Sequence, residues 1–103
     1  MVIIWTEPSI ADLQNFLDNA RDGTYKSAND YIISLMNYVN LLKIYPHLGK
    51  IYRKLKLKNV RQLIYRKHKI FYTIYDNHIL IITVIHSSRN MDNLFNDFLL
   101  NNY

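Results

Sequence analysis

The side chains best suited to chemistry in this sequence are four cations in its second half. They are Arg61, Lys69, His86 and Arg89. Arginine and lysine can hold a phosphate and stabilise the charge that develops on it, and histidine can transfer a proton near neutral pH. Brought together, these residue types could cleave RNA without a metal ion.

The same four cations also have interpretations without catalysis. Together they could dock the chain on an acidic partner. Arg61 could instead form a structural ion pair or clamp a carbonyl, and His86 could be a strand-end histidine with a backbone partner. The residue types alone leave all of these interpretations open.

Positive charge is concentrated in one stretch of the chain. The net charge is +5, and ten of the 13 lysines and arginines lie between Lys43 and Lys69. From Tyr31 to Tyr75 there is no Asp or Glu. Such segregation favours a polyanion such as nucleic acid, or an acidic protein partner. The residues predicted to contact a target or such a partner are Lys54, Lys56, Lys58, Arg66, Lys67, Tyr75 and Phe95.

Composition disfavours several other kinds of site. The chain has no cysteine, which removes disulfides and thiolate metal sites and fits a reducing cytoplasm. The four histidines lack ligand spacing and there are two glycines, so no metal site, phosphate loop or cofactor is expected. No apolar run approaches the roughly 20 residues that span a bilayer. The N-terminus lacks the basic segment of a signal peptide, so a cytoplasmic protein without a membrane segment is expected.

Three segments around the cations are typical of strands. Strands are predicted over 59–65, 69–75 and 78–85, which are rich in the β-branched and aromatic residues of a pleated surface. Asp76 and Asn77 tolerate positive φ and predict a two-residue hairpin turn. Sequential strands with short turns would form an antiparallel meander.

The hairpin turn fixes a register for the last two strands. The pairs expected to lie opposite each other are Thr73 with Leu80, Lys69 with Val84, and Lys67 with His86. Lys67, Lys69 and His86 would then share one face of the sheet. The other face is apolar and requires a cover of helices, and a slip of one residue would exchange the two faces.

Two amphipathic helices are predicted before the meander. Thr6 or Ser9 can cap the first, and Gly23 is expected to end it. In the second, apolar residues recur at helical spacing from 28 to 42 until Pro46 stops the pattern. The short connection predicts an antiparallel helical hairpin that covers the sheet.

These elements define one fold class. A strand is expected over residues 2–5 and a short amphipathic helix over 91–99. The whole chain, 1–103, is then a single α+β domain. Its order is β-α-α-β-β-β-α, with a helical hairpin packed on an antiparallel sheet.

This pattern resembles the ParE/RelE superfamily of toxins from type II toxin–antitoxin modules. The similarity covers residues 3–95 and rests on the order and spacing of six segments: 5–8, 11–13, 45–49, 60–63, 69–75 and 84–89. It implies the same β-α-α-β-β-β-α fold. It also implies a growth-inhibiting protein, of a kind associated with plasmid stabilisation, that a cognate antitoxin neutralises.

The family divides by target. RelE-like members cut ribosome-bound mRNA, and ParE-like members inhibit DNA gyrase. By motif, Arg61 corresponds to a basic residue of the RelE-like catalytic region, Lys69 to a position that is usually Arg, and Arg89 to the basic residue after the last strand. Phe95 stands where RelE has a Tyr, and a phenyl ring has no hydroxyl to transfer a proton. The resemblance therefore slightly favours gyrase inhibition.

Two alternatives remain beside gyrase inhibition. One is a metal-independent mRNA endonuclease in which His86 replaces the missing Tyr. The other, from a different class, is a non-toxic basic module that binds nucleic acid. The partners implied by the resemblance are an acidic antitoxin, whose partly disordered segment folds on binding, and either DNA gyrase or ribosome-bound mRNA.

Overall fold

The fold is a sheet with one strand before two helices and its other strands after them. The computed structural model describes residues 1–21, 23–53 and 59–89. The elements, in chain order, are β1 (Val2–Trp5), α1 (Glu7–Asp18), α2 (Tyr25–Val39), a 3₁₀ helix (Asn40–Lys43), β2 (Lys50–Ile51), β3 (Val60–Tyr65), β4 (His68–Ile74) and β5 (His78–His86). The predicted α+β order is confirmed, with β2 as an addition. The helix predicted at 91–99 lies outside the described residues.

The sheet has the strand order β1-β5-β4-β3-β2. The meander of β3, β4 and β5 is antiparallel, as predicted. β1 runs parallel to β5, with Val2 opposite His78, so the whole sheet is mixed rather than purely antiparallel. This parallel pairing is possible because the two helices carry the chain across the sheet between β1 and the meander.

The predicted hairpin turn between β4 and β5 is confirmed. The Tyr75 N–H donates to the His78 carbonyl oxygen at 2.8 Å and closes the loop at 76–77. Thr73 lies opposite Leu80, as the register from this turn requires. The predicted register holds for this half of the hairpin.

Further from the turn, the predicted register is wrong by one residue. A β-bulge places Ile82 between the pairs of two successive β4 residues. Beyond it, Lys69 lies opposite Ile85, and His68 rather than Lys67 lies opposite His86. Lys67 itself belongs to the turn that precedes β4.

The bulge exchanges the faces of the residues that follow it. Val84, predicted for the cationic face, packs in the main core, and Ile85 packs on the opposite face with Phe71. His86 therefore lies on the helix-covered side with His68, whereas Lys69 alternates to the side of Phe71. The predicted shared face of Lys67, Lys69 and His86 is wrong for this reason.

The main core lies between the sheet and α2. Its buried members are Leu35, Val39, Leu42, Leu63, Ile70, Tyr72, Ile79, Ile81 and Val84. Burial of such side chains stabilises the fold by roughly 1.5–3 kcal/mol each before entropy is counted. A smaller cluster of Val60, Phe71 and Ile85 lies on the other face of the sheet, beside Tyr52 and Ile82.

Of the two residues predicted to cap α1, Thr6 and Ser9, it is Thr6 that caps it, and Thr6 also anchors α1 to the sheet. The Ser9 N–H donates to the Thr6 hydroxyl at 3.2 Å, and that hydroxyl donates to the Ile81 carbonyl oxygen at 2.7 Å. The predicted C-cap at Gly23 is wrong. α1 ends at Asp18, and Asn19 caps it.

Asp12 of α1 accepts hydrogen bonds from the outer edge of β5, at the residues that β1 no longer pairs with. The last residue of β1 lies opposite Ile81. Beyond that point, Asp12 Oδ2 accepts hydrogen bonds from the Val84 N–H at 2.9 Å and from the Thr83 hydroxyl at 2.7 Å. α1 therefore takes the place of a neighbouring strand at this edge.

We expect Asp12→Ala to lower the free energy of unfolding by about 1–3 kcal/mol, because it leaves a part-buried N–H and a hydroxyl unpaired. Asp18 offers a matched control, since its carboxylate accepts from the exposed Gln14 amide at 2.8 Å and from no other group in the part of the chain that the structure describes. Asp18→Ala should change stability by less than about 0.5 kcal/mol. Urea unfolding measures both, and equal effects would contradict this role of Asp12.

Candidate functional site

Arg61 lies away from the other predicted catalytic residues. It is in β3, opposite Tyr72, and its Nη1 donates to the Gly49 carbonyl oxygen at 2.8 Å. The end of β4 that contacts His86 is four residues further on, about 13 Å along the strand. Arg61 therefore forms the carbonyl clamp that its sequence context allowed, at the opposite end of the sheet from His86.

Lys69 and Tyr75 are also separated from His86. Lys69 lies opposite Ile64 and Ile85, on the sheet face that the two helices do not cover. The exposed Tyr75 ring stacks on the His78 ring at 4.8 Å beside the hairpin turn, at the far end of β5. The remaining predicted contact residues, Lys54, Lys56, Lys58 and Phe95, lie outside the described residues.

His86 and Arg89 lie close together at the end of β5, and the β3–β4 turn lies beside them. The Arg89 N–H donates to the His86 carbonyl oxygen at 3.0 Å, and the Ser87 N–H donates to the Lys67 carbonyl oxygen at 2.7 Å. Arg66 precedes Lys67 in the turn and has a φ of 46°. We call Arg66, Lys67, His86 and Arg89 the cationic rim. All four side chains are exposed.

A buried histidine that the sequence analysis did not select lies beneath this rim. His68 Nδ1 is 2.8 Å from the Tyr31 hydroxyl, and its ring meets the Phe16 ring edge-on at 5.2 Å. The His86 ring lies 5.6 Å away, also edge-on. His68 thus links both helices to the strand that ends in His86.

The hydrogen bonds of His86 assign its tautomer. Its Nδ1 accepts from the Ser88 N–H at 3.2 Å and lies 2.8 Å from the Ser88 hydroxyl. Because a nitrogen that accepts from an N–H has a free lone pair, the proton of the neutral ring is on Nε2. The Nε2–H of an exposed His86 is a donor that can meet an anionic oxygen.

The surroundings of His68 and Tyr31 favour the neutral form of both side chains. Burial lowers the pKa of His68 below its ordinary value of 6.5, and the nearby His86 and Lys67 lower it further. Burial raises the pKa of Tyr31 above 10.0. At pH 7 the Tyr31 hydroxyl therefore keeps its proton and can donate it to a neutral imidazole.

The lowered pKa of His68 makes stability depend on pH. The unfolded chain takes up a proton near pH 6.5, whereas folded His68 takes it up only at lower pH. Its contribution is therefore complete above pH 6.5 and declines as the pH falls below that value. Urea unfolding at about pH 7.5 and about pH 5.5 should show this loss in the parent.

The loss should be smaller in His68→Gln, which removes the titrating ring. His78→Gln, at the start of β5, is the matched control for loss of a histidine elsewhere in the sheet. An unchanged pH dependence in His68→Gln would contradict this assignment.

Two clefts lie beside His68 and His86. One of about 590 Å³ lies between the helices and the β3–β4 turn, and one of about 330 Å³ lies on the side of Asp12 and Arg89. In the described ranges no three His, Cys, Asp or Glu side chains are grouped to hold a metal ion. None of the helices in those ranges is long and apolar enough to cross a membrane. The chemistry available here is that of cations, an imidazole and aromatic rings.

Solved structures of other proteins share this architecture. A chain of the chromosomal ParDE system from P. aeruginosa has a TM-score of 0.70, with 20% identity over 84% of this chain and 95% of that chain. YoeB from Staphylococcus aureus has a TM-score of 0.56, with 19% identity over 81% and 92%. A chain of the RelBE2 toxin–antitoxin complex from Mycobacterium tuberculosis has a TM-score of 0.54, with 16% identity over 82% and 95%. These similarities establish the fold.

The family follows from the sequence itself. The profile described as the ParE toxin of type II toxin–antitoxin system, parDE, matches residues 3–91. The chain therefore belongs to the ParE toxin family. The predicted ParE/RelE resemblance and the predicted type II toxin function are confirmed. No curated protein matches the chain significantly.

Proposed function

We propose that this toxin arrests growth by binding DNA gyrase, and that it does not cleave mRNA. The proposal rests on the separation of the predicted catalytic residues. Arg61 is engaged with the Gly49 carbonyl, and Lys69 is on the opposite face from His86. Metal-free cleavage needs the cations and the proton-transfer group at one phosphate. A docking surface needs only a field of positive charge, which the cationic rim provides.

Cleavage of ribosome-bound mRNA is the second candidate, and one observation favours it. His86 presents an Nε2–H beside Arg89 and Lys67 when its ring is neutral. In that role the protonated form of His86 would give its Nε2 proton to the leaving oxygen and become neutral, and the two cations would stabilise the phosphate. This candidate makes the chain an enzyme, whereas gyrase binding does not.

An acidic antitoxin is the second partner that we propose. The ParDE and RelBE2 neighbours are described as toxin–antitoxin assemblies. In this chain, apolar side chains are exposed after α2, including Ile44 at 71% and Tyr45 at 60% exposure. Exposed apolar groups beside a net charge of +5 suit an amphipathic acidic segment that folds on binding.

Two assays on the induced or purified protein separate these functions. We expect growth arrest, inhibition of supercoiling by purified gyrase, and intact mRNA by primer extension. Co-expression of a small acidic protein from the adjacent reading frame should restore growth. Fragmented mRNA with unimpaired gyrase would reject the proposal, and the absence of any growth arrest would favour a non-toxic binding module.

His86→Ala tests the choice between the two targets. If the chain binds gyrase through a charged surface, the variant should keep most of its inhibition, because one exposed contact is worth about 0–1 kcal/mol. If the chain cleaves mRNA, loss of the proton donor should lower the rate by roughly 10²–10⁴-fold. His78→Ala, a histidine of the hairpin turn, is the control in both assays. A large loss of gyrase inhibition in His86→Ala alone would contradict a docking surface to which several charges each contribute a small part.

A further inference from the structure

The cleft of about 590 Å³ beside His68 has a wall of cations. Arg21 lines it from the connection between the helices, and Arg66 and Lys67 line it from the β3–β4 turn. No carboxylate is among its described lining residues. Positive charge in a partly enclosed space concentrates anions, because low-dielectric walls focus the field. The cleft is therefore suited to an anionic group.

Aromatic rings form another part of the same cleft. Phe16 of α1 and Tyr31 of α2 line it, with ring centroids 5.3 Å apart and tilted by 35°. The hydroxyls of Thr24 and Ser27, at the start of α2, line it beside them. Planar bases pack well on aromatic side chains, and the Ser27 hydroxyl can donate to base or sugar oxygens. The Thr24 hydroxyl donates to the Arg21 carbonyl oxygen at 2.6 Å, so it can accept from a ligand donor. An anion with a planar ring would use all of these surfaces.

We propose that this cleft binds a nucleotide, with the phosphate near Arg21, Arg66 and Lys67 and the base against Phe16 and Tyr31. The volume is within the roughly 300–1,000 Å³ that is usual for small-molecule sites. An acidic peptide would satisfy the cations but has no planar base for the two rings. The cations and the aromatic rings together therefore favour a nucleotide over a peptide carboxylate.

His68 provides an internal reporter of occupancy. The groups that face it are the Tyr31 hydroxyl, the Phe16 ring, His86 and Lys67. The two cationic neighbours disfavour its protonation. A bound phosphate would offset their charge, so occupancy should raise the pKa of His68. This shift is measurable by NMR from the ring proton on Cε1.

The test is a titration of the purified full chain with adenosine monophosphate, adenosine and inorganic phosphate. We expect saturable NMR shifts at Phe16, Tyr31 and His68 with the nucleotide, and weaker binding of each of its two parts. Replacing Arg66 by Asn and Lys67 by Gln together should weaken nucleotide binding by about tenfold or more. Asn tolerates the positive φ at position 66, so this variant should keep the turn.

Lys43→Gln with Lys50→Gln is the matched control, because it removes two exposed cations from outside the cleft. The control should bind the nucleotide as the parent does. Absence of saturable shifts at millimolar nucleotide, or equal weakening in both double variants, would overturn the proposal. Tighter binding of a Glu-rich peptide at the same residues would also overturn it. The titration contains no gyrase and no RNA, so its result is independent of the target proposed above.

Discussion

Gly49→Ala should lower the free energy of unfolding by about 3 kcal/mol or more, because a methyl group at this position has no space. Its Cβ would lie 2.7 Å from both Cε1 and the hydroxyl oxygen of Tyr72, and 2.8 Å from the Gln62 carbonyl oxygen. The Gln62 oxygen is part of the β3 backbone, and the Tyr72 side chain is fully buried. Neither neighbour can move without disturbing the core.

The hydrogen bonds around Gly49 increase the cost. Its N–H donates to the Tyr72 hydroxyl at 2.9 Å, and its carbonyl oxygen accepts from Arg61 at 2.8 Å. The Tyr72 hydroxyl donates in turn to the Pro46 carbonyl oxygen at 2.7 Å. Moving the loop to admit a methyl group would break these bonds together, and each broken bond leaves a partner unsatisfied.

Further variants distinguish the steric clash at Gly49 from backbone strain and from the loss of hydrogen bonds. Gly23 has a φ of 82°, but a Cβ added there would meet no atom within 4 Å, so Gly23→Ala should cost about 1 kcal/mol through backbone strain alone. Tyr72→Phe should cost about 1–3 kcal/mol, because it removes the shared hydroxyl. The double variant Gly49→Ala/Tyr72→Phe should cost less than the sum, since the shorter side chain relieves part of the clash. Full additivity in urea unfolding, or a Gly49→Ala midpoint equal to the parent's, would contradict this account.

The sequence predicted those features that depend on local residue chemistry. The hairpin turn at Asp76 and Asn77 and the cap at Thr6 were predicted because these side chains have strong local preferences. The strands were predicted because β-branched and aromatic residues are dense there. These features set the register of β5 as far as the bulge at Ile82, and His86 lies beyond it.

The features that sequence analysis missed have no local signal. The bulge at Ile82 lies within Leu-Ile-Ile-Thr-Val-Ile, where apolar residues stand on both sides of a single Thr and do not alternate with polar ones, so the sequence does not show which residues share a face. The β3–β4 turn at Arg66 and Lys67 contains no Gly, Asn, Asp or Pro. His68 was missed for both reasons, since its pairing with His86 depends on the bulge and its place at the start of β4 depends on this turn.

Arg61 illustrates a different limit of spacing arguments. Its partner is a backbone carbonyl, and every residue supplies one, so the sequence could not distinguish the clamp to Gly49 from a catalytic cation. Tyr31 lies within the apolar repeat predicted over residues 28–42, and its hydroxyl bond to His68 depends on the tertiary structure. The sequence therefore predicts part of the candidate site, the grouping of His86 and Arg89 with Arg66 and Lys67. It does not predict the contacts of His68 with Tyr31 and His86 that lie beneath this group.

The largest functional effect should come from neutralising the cationic rim. We expect a variant with Arg66→Asn, Lys67→Gln and Arg89→Gln to raise the concentration needed to inhibit gyrase by roughly a hundredfold or more. The physical reason is that steering and docking on an acidic surface depend on several exposed charges acting together. All three side chains are exposed, so the variant should keep the parent's unfolding midpoint. Induced in cells, it should no longer arrest growth.

A matched variant distinguishes the place of the charges from their number. Lys26→Gln, Lys43→Gln and Lys50→Gln also removes three exposed cations, and these lie outside the rim. Both variants lower the net charge from +5 by the same amount. If the rim is the contact surface, only its own variant loses inhibition, whereas equal losses would mean that net charge alone attracts the chain to its target. Full toxicity of the rim variant would place the contact surface elsewhere.

Arg61→Gln tests whether Arg61 has a structural role, through its bond to the Gly49 carbonyl, or contacts the target. Loss of the bond to the Gly49 carbonyl should lower the free energy of unfolding by about 1–3 kcal/mol. Inhibition per folded molecule should remain, since Arg61 lies at the opposite end of the sheet from the rim. A stable Arg61→Gln protein without toxicity would mean that Arg61 contacts the target, and the separation of the two groups would then no longer support binding over cleavage.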